Sequence, residues 1–484
     1  MRRRGICIGL AWAVALAAAG HAKAGPLLQE RIEAAVASSC VPKADIGLHV
    51  VRLSDGATLA THQAGRLFIP ASNVKLLTTA AALRILGPTY RFPTTLYATG
   101  PIAGERLRGD LVLKGFGDPE LVSERLWLLA AALRRKGLRE VEGDLVIDES
   151  FFDDQMRAPT WGGHVSTRAY YAPVAPASLN FNAAAVHVEP GPTPGQPARV
   201  LLEPQTAYLR LVNRATTGRA GSKLSLVVDR QAGQRTNTIV VGGSIPYDAD
   251  RTTYYRSITH PWRYLATGLA ELLRREGITI KGTLRQGRVP ESALELMTFE
   301  SKPLGHITRD LNKLSNNFIA ESMLKTMGAF VHGPPGTFEK GLAVVEDFLR
   351  TLDIAPGTYR LRDGSGLSSA NRLTPGQITK VLAAMWGDFR FRPEYLVSLA
   401  VMGMDGSVDE RLTETQARQR LRVKTGSLRG VSALSGYGVS ADAEELAFSI
   451  IINNEACGLP LMQKTQDAIV LALVNSKAKE PKPR

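Results

Sequence analysis

The sequence predicts an α/β (α+β) protein in which one domain, built from both ends of the chain, is interrupted by a large β-rich insertion. Three observations carry this. Residues up to about 90 read as helix, hairpin and helix; residues from about 91 to about 303 read as short strands punctuated by Gly, Pro and Asp; from about 304 helices return, followed by strands and a closing helix. At 484 residues the chain can hold one large core or two to three smaller ones.

The chain opens MRRRGICIGLAWAVALAAAGHAKAGP. Three arginines precede an apolar run of 14 residues, Ile6 to Ala19, and Ala22-Lys23-Ala24 forms the small-x-small pattern that signal peptidase cuts. The run is shorter than the roughly 18 to 20 residues that cross a bilayer. Residues 1–24 are therefore expected to be an export signal, with a soluble mature chain from Gly25 and no transmembrane anchor; the alternative is a short N-terminal membrane anchor. Cleavage would remove four basic residues and no acid, lowering the formal net charge from +14 to +10. So basic a chain suits an anionic surface, yet it has no aromatic-interleaved basic stripe and no nucleic-acid motif, so no nucleic-acid partner is expected. Of the three cysteines only Cys40 and Cys457 lie beyond the signal. An even pair in an oxidising compartment predicts one disulfide joining the ends of a domain, against the alternative of two unpaired buried thiols. No HExxH and no clustered His/Cys spacing is present, so neither metal nor organic cofactor is expected.

Element by element, LLQERIEAAVASS has helical periodicity, and ADIGLHVVRL and ATLATHQ, split by the turn SDG, form a hairpin. SNVKLLTTAAALRILG, closed by Gly87-Pro88, is a helix with its stop signal. Inside the insertion, GDLVLKGFGDP, EVEGDLVIDES, AAAVHVEPGP, KLSLVVDRQ and NTIVVGGSIP read as strands, while SERLWLLAAALRRKG and PWRYLATGLAELLRREG read as helices ending in basic residues and Gly. GDLV occurs at 109–112 and 143–146, too short an echo to define a repeat. Helices follow at LGHITRDLNKLS, NNFIAESMLKTMGAF, FEKGLAVVEDFLRTL and LTPGQITKVLAAMWG, the last with Thr374 as cap and Pro375 at its first position. RLRVKTGSL, VSALSGYGVS and ELAFSIIINN then give three strands before a final helix near MQKTQDAIVLALV.

The chemistry starts at PASNVKLLTT, where Ser72 and Lys75 stand three apart at a helix start. Positions i and i+3 share a helix face, so the lysine amine can reach the serine hydroxyl and act as its base. That requires a lysine pKa far below about 10.4, through burial or a nearby cation. The SxxK pattern alone is weak, because it recurs at Ser322/Lys325 and Ser476/Lys479, which read as surface pairs, and because Ser is a common cap. A KTG triplet occurs once, Lys424-Thr425-Gly426, in a strand that could offer a carboxylate platform, with the glycine admitting a substrate backbone. An SxN pattern matches at Ser178/Asn180, Ser315/Asn317 and Ser369/Asn371; only KLSNNFIAE lies on a tight connection between helices, while turn and capping roles explain the others. No intact GxSxG elbow occurs and no histidine is placed beside a particular serine.

SxxK, SxN and KTG in that order are far more specific than any one of them. With the segments IPASNVKLLTTAAAL, RGDLVLKGFGDPEL, LSNNFIAESMLK, DGSGLSSANRLTP, MDGSVDERL and VKTGSLRGVSALSGY, the chain resembles the penicillin-binding, active-site-serine D-alanyl-D-alanine peptidases. Within them it is similar to the low-molecular-mass class C carboxypeptidase/endopeptidase type, the penicillin-binding protein 4 type. Ser72 and Ser315 are 243 residues apart, and the insertion fills that gap as inserted domains do in this family. One departure is Asn316, a position often acidic in the family. The resemblance implies a β-lactamase/DD-peptidase-like catalytic domain, with antiparallel sheet and helices, from residues 25–90 and 304–484. The insertion, 91–303, is expected to form two subdomains, the second at roughly 180–245. Ser72 would be the nucleophile, Lys75 its base and Ser315 a proton relay; Asn317 would orient the substrate amide; Lys424, Thr425, Gly426 and Ser427 would receive its carboxylate. The expected partners are peptidoglycan stem peptides and, as covalent inhibitors, β-lactams; the expected place is the periplasm. The rival functions are a β-lactamase or esterase on the same fold and a non-catalytic envelope-binding protein.

Overall fold

The computed structural model describes residues 28–161 and 166–477. The expected export segment, 1–24, lies outside the described residues. Six strands form one antiparallel sheet in the order Thr58–His62, Ile46–Arg52, Glu445–Asn453, Val431–Val439, Leu421–Leu428, Ala400–Val401. The N-terminal hairpin pairs through its inner strand with the last strand, Ile46 opposite Ile452 and Arg52 opposite Leu446, so both ends of the chain enter one sheet.

The last strand shows why helices must cover both faces of that sheet. Leu446, Phe448, Ile450 and Ile452 enter a core with Ile32 and Val36 of the Leu28–Ala37 helix and Ile469 and Leu473 of the Leu459–Val474 helix. Ala447 and Ile451 alternate into a second core with Leu76, Leu77, Ile307 and Met323 from the helices on the other face. A strand buried on both faces loses the polar half of its alternation, hence the run AFSIII. A disulfide joins Cys40 to Cys457 with Cα atoms 6.6 Å apart, tying together segments 417 residues apart in sequence.

Between residues 93 and 300 the chain builds further sheets around a core of its own. The largest has five strands in the order Leu284–Gln286, Leu145–Asp148, Leu111–Gly115, Pro93–Ala98, Leu294–Glu300, and the helices Ser123–Arg135 and Pro261–Arg275 share its core. Its first three strands are parallel, and the GDLV echo is a matched pair in that register: Leu111 faces Leu145 and Val112 faces Val146. A third strand joins the same register, Leu284 facing Leu145. The glycines are required there, since a Cβ on Gly143 would sit 2.6 Å from the Gly109 carbonyl oxygen and one on Gly282 2.5 Å from that of Gly143. Arg285 spans the ladder, 2.6 Å from both Asp110 and Asp144. Two three-stranded sheets follow: Arg199–Glu203, Ala183–Glu189, Thr252–Ser257, and Leu209–Asn213, Asn237–Gly242, Val227–Ala232.

Part of this central region serves the helical layer instead. Phe152, Ala172 and Val174 enclose Phe318, Ala158 and Trp161 enter the helical core, and Trp161 Nε1 donates to Asp363 at 2.9 Å. Sequence reading gave no sign of the helix Arg392–Ser398 or the two-residue strand Ala400–Val401, which are too short to show a period.

Candidate active site

Ser72 lies in a 3-10 turn, Ala71–Asn73, that leads into the helix Val74–Ile85. That helix is apolar nearly all round because it is central: every residue from Val74 to Leu83 is buried, Lys75 among them. The turn is held by its neighbours and is itself strained. Asn73 Nδ2 donates to Ser435 Oγ (2.6 Å), which donates on to Ser449 Oγ (2.8 Å), both on sheet strands. Ala71 is held at φ +46°, a left-handed conformation that costs a non-glycine residue about 1–3 kcal/mol. Gly366 (φ +80°) runs so close that a Cβ there would lie 1.9 Å from the Ala71 carbonyl oxygen.

Lys75 Nζ donates to Ser72 Oγ (3.0 Å), Asn317 Oδ1 (2.7 Å) and the Ser365 carbonyl (2.7 Å). Burial brings its pKa down from 10.5 to about 7, against the opposing charges of Glu321 and Asp363. Burial, not a neighbouring cation, is thus the main cause. Glu321 lies one turn beyond Asn317 on the helix Asn317–His332 and accepts the N–H groups of Gly364 (2.9 Å) and Ser365 (2.8 Å). Burial first, and Asp363 second, push its carboxyl up to about 8. Asp363 accepts from the N–H groups of Gly366 (2.8 Å) and Ser368 (2.7 Å) and from Asn371 Nδ2 (2.8 Å). The DGSGLSSAN loop is therefore folded around two buried carboxyl groups and presents the Ser365 carbonyl to Lys75.

Ser315 occupies the connection between the helices Leu304–Lys313 and Asn317–His332 at φ +55°, a second strained non-glycine position. Asn316 caps the second helix, its side-chain oxygen accepting the Ile319 N–H at 3.2 Å. An Asp at this position could cap in the same way, so the departure from an acidic residue leaves the loop intact. Asn317 is buried, and its Nδ2 donates to the Tyr170 carbonyl (3.1 Å).

Lys424, Thr425, Gly426 and Ser427 lie on Leu421–Leu428, next to the edge of the sheet. The edge strand Ala400–Val401 covers only Val423 and Arg422, so it leaves the stretch that carries KTG uncovered on that side. Lys424 is fully buried with Nζ donating to the Thr425 carbonyl (2.9 Å); burial, and then the charge of Lys75, hold its pKa well below the usual value. Thr425 Oγ1 is 2.7 Å from Ser407 Oγ, in the MDGSVDERL segment. A Cβ on Gly426 would lie 2.9 Å from the Pro70 carbonyl oxygen and 3.1 Å from Ala71 Cβ, so the strand and the Ser72 turn touch at this glycine. Ser427 is exposed.

The structure thus brings Ser72, Lys75 and Asn317 together through hydrogen bonds, sets Gly426 against the Ser72 turn and places the Lys424 charge within reach of Lys75. One sequence expectation is corrected. Ser322/Lys325 is not a surface pair: every residue from Asn317 to Ala329 is buried, and Lys325 Nζ pairs with Asp153 (2.6 Å) between the rings of Phe152 and Phe338. A helix enclosed on all sides carries its charges inside. Ser476 is buried too, and Lys479 lies outside the described residues. Asn180 caps the Ser123–Arg135 helix by accepting the Ser123 N–H (2.9 Å), and Asn371 holds the DGSGLSSAN turn. Sequence reasoning missed Glu321, Asp363, Ser407 and Tyr170; only Glu321, a lone acid four residues after Asn317 in an apolar stretch, left a signal.

A cavity of about 850 Å³ opens beyond Ser315 and Asn317 toward the strands Ala183–Glu189 and Thr252–Ser257. Among the described residues no three His, Cys, Asp or Glu side chains are grouped to hold a metal, and no helix is long and apolar enough to cross a membrane.

Residues 28–476 match the D-Ala-D-Ala carboxypeptidase 3 (S13) family. The chain is 36% identical over 459 residues to a D-alanyl-D-alanine carboxypeptidase of Actinomadura sp. (strain R39), covering 92% of this chain and 84% of that one. It is 26% identical over 433 residues to the D-alanyl-D-alanine carboxypeptidase DacB of Haemophilus influenzae, covering 88% of each. The crystal structure of penicillin binding protein 4 from the same organism shares the fold, with a TM-score of 0.79 at 24% identity over 92% of this chain and 99% of that one.

Proposed function

Because the chain belongs to the D-Ala-D-Ala carboxypeptidase 3 (S13) family and is a serine-type D-alanyl-D-alanine peptidase, we propose that Ser72 is its nucleophile and Lys75 the general base. The observation that carries this is the Lys75 amine, buried, 3.0 Å from Ser72 Oγ and brought to a pKa of about 7. At that value a lysine is poised to take and return a proton near neutral pH.

Ser72 Oγ attacks the penultimate D-alanyl carbonyl while Lys75 takes its proton. The N–H groups of Ser72 and Ser427 stabilise the oxyanion. Asn317 orients the substrate amide, and Lys424, Thr425 and Ser427 hold the carboxylate, with Gly426 leaving room for the peptide. Collapse breaks the C–N bond, and the amine leaves with a proton passed from Lys75 through Ser315. Water then attacks the ester, giving the shortened peptide and free Ser72. A β-lactam would follow the first half, but its amine stays tethered, so the ester persists.

The substrates in this reading are peptidoglycan stem peptides, cut at D-alanyl-D-alanine termini or D-amino-acid cross-links, in the periplasm. The N-terminal export pattern supports that location. Residues 25–90 and 304–484 act as the catalytic unit and 91–303 as the insertion, with a second subdomain near 180–245; the shared sheet and the separate central core support the division.

Incubation with a stem peptide ending in D-Ala-D-Ala tests the reading. The purified chain is expected to release D-alanine and Ser72→Ala to release none. Equal release by both would move the nucleophile elsewhere. Rapid penicillin hydrolysis without peptide cleavage would make the chain a β-lactamase, and peptidoglycan binding without either reaction would make it a non-catalytic binder.

A further inference from the structure

The cavity beyond Ser315 carries two arginines on one wall, neither of them held in an ion pair among the described residues, with the carboxyls of Glu124 and Glu203 also on its lining. Arg168 and Arg256 both line it, and they stand directly opposite each other in an isolated antiparallel bridge. Like charges in facing positions destabilise a strand pair. Neither guanidinium lies within ion-pair distance of a carboxylate among the described residues. Among the described residues the Arg256 guanidinium donates only to carbonyls, those of Val228 (2.9 and 2.6 Å) and Tyr255 (3.0 Å). Arg168 Nη1 has the Tyr170 hydroxyl at 3.5 Å. Burial lowers the Arg256 pKa, and the charge of Arg168 adds to that, while Asp229 opposes it. Asp229 is itself engaged, accepting from Thr167 Oγ1 (2.6 Å) and the Arg230 N–H (2.8 Å). Glu203, also on the cavity, is occupied by His187 at 3.0 Å.

The rest of the cavity fits a peptide. Tyr170, Phe181, Tyr254 and Phe318 supply apolar surface, and a volume of about 850 Å³ lies in the range that encloses a whole drug-sized ligand, far more than a single alanine fills. The cavity starts at Ser315, where the amine departs in the mechanism above, and its wall is tied to the site by the Asn317 to Tyr170 hydrogen bond.

We propose that Arg168 and Arg256 form an anion subsite that binds a free carboxylate on the leaving half of a cross-linked peptide. The site is then built to expel a second peptide as well as a lone D-alanine. The proposal rests on the peptidase reading and adds the contact that distinguishes the two leaving groups. Guanidinium pairs are suited to it, since each can grip a carboxylate through two parallel N–H bonds.

The test compares two substrates: a monomeric peptide ending in D-Ala-D-Ala, and a peptide dimer whose D-alanyl carbonyl is joined to a side-chain amine of the second peptide, which carries free carboxylates. For Arg168→Ala and Arg256→Gln, the ratio of kcat/KM for the dimer to that for the monomer is expected to fall about tenfold or more, the scale of one lost charge-assisted bond. Amidating the carboxylates of the second peptide should lower the wild-type ratio as much and abolish its dependence on either arginine. Penicillin acylation at the wild-type rate reports that each variant is folded around an intact Ser72. A ratio unmoved in both variants, or moved equally with the amidated dimer, overturns the subsite while leaving the peptidase reading standing. A wild-type protein that neither cleaves these peptides nor is acylated overturns that reading and the subsite with it.

Discussion

In the proposed mechanism Lys75 is the residue on which the chemistry turns, and its protonation then sets a definite pH dependence. Burial lowers its pKa from 10.5 to about 7, so below pH 7 the amine is charged and cannot take the Ser72 proton. Acylation by a penicillin should therefore fall about tenfold for each pH unit below 7 and level off above it. Stopped-flow or mass-spectrometric rates across pH 5 to 9 would show this; a rate flat from pH 5 to 8 would mean Lys75 is not the base. The same shift carries a stability cost of known sign. Between about 7 and 10.5 the folded lysine binds fewer protons than the unfolded one, so the cost is full below pH 7 and is relieved as pH rises through that window. Sequence reading reached the requirement for a lowered pKa from the chemistry alone. It could not tell burial from a neighbouring cation, because burial is a property of how the helices assemble.

At the scale of elements, the site depends on three backbone segments meeting without side chains between them. Gly366 passes against Ala71, and Gly426 against Pro70 and Ala71. Gly366→Ala must either move the DGSGLSSAN loop or move the Ser72 turn, and it also strains a backbone at φ +80°. We expect penicillin acylation to slow about 10²-fold, the usual effect of misplacing a catalytic group by about 1 Å, with far-UV circular dichroism retained. Wild-type acylation in this variant would mean the loop does not position the nucleophile. Helices and strands of ten or so residues were legible because their periods and stops are local: the Val74–Ile85 helix ends at Gly87-Pro88, and Thr374 caps Pro375–Gly387 as its sequence promised. The charges of the Asn317–His332 helix were misread for the same reason. A lysine three residues after a serine looks solvated on an isolated helix, and only the neighbours that enclose Lys325 make it internal. The GDLV echo also gained meaning only from pairing, since register is a relation between strands.

Across the whole molecule, motifs hundreds of residues apart are drawn together because the first and last strands share one sheet, reinforced by the Cys40–Cys457 bond. That linear order, SxxK then SxN then KTG, could be read directly, because each motif keeps its own residues adjacent. The place of Asp363 behind Lys75, the Ser407 contact to Thr425 and the arginine-lined cavity were invisible, because their members come from separate segments with no common spacing. The central claim is that these segments converge to make Ser72 a nucleophile, and intact-mass spectrometry after exposure to a penicillin tests it most directly. The account predicts one stable adduct per chain on the wild-type protein, mapped to the peptide containing Ser72, and none on Ser72→Ala; an unmodified wild type, or an equal adduct on Ser72→Ala, would contradict it.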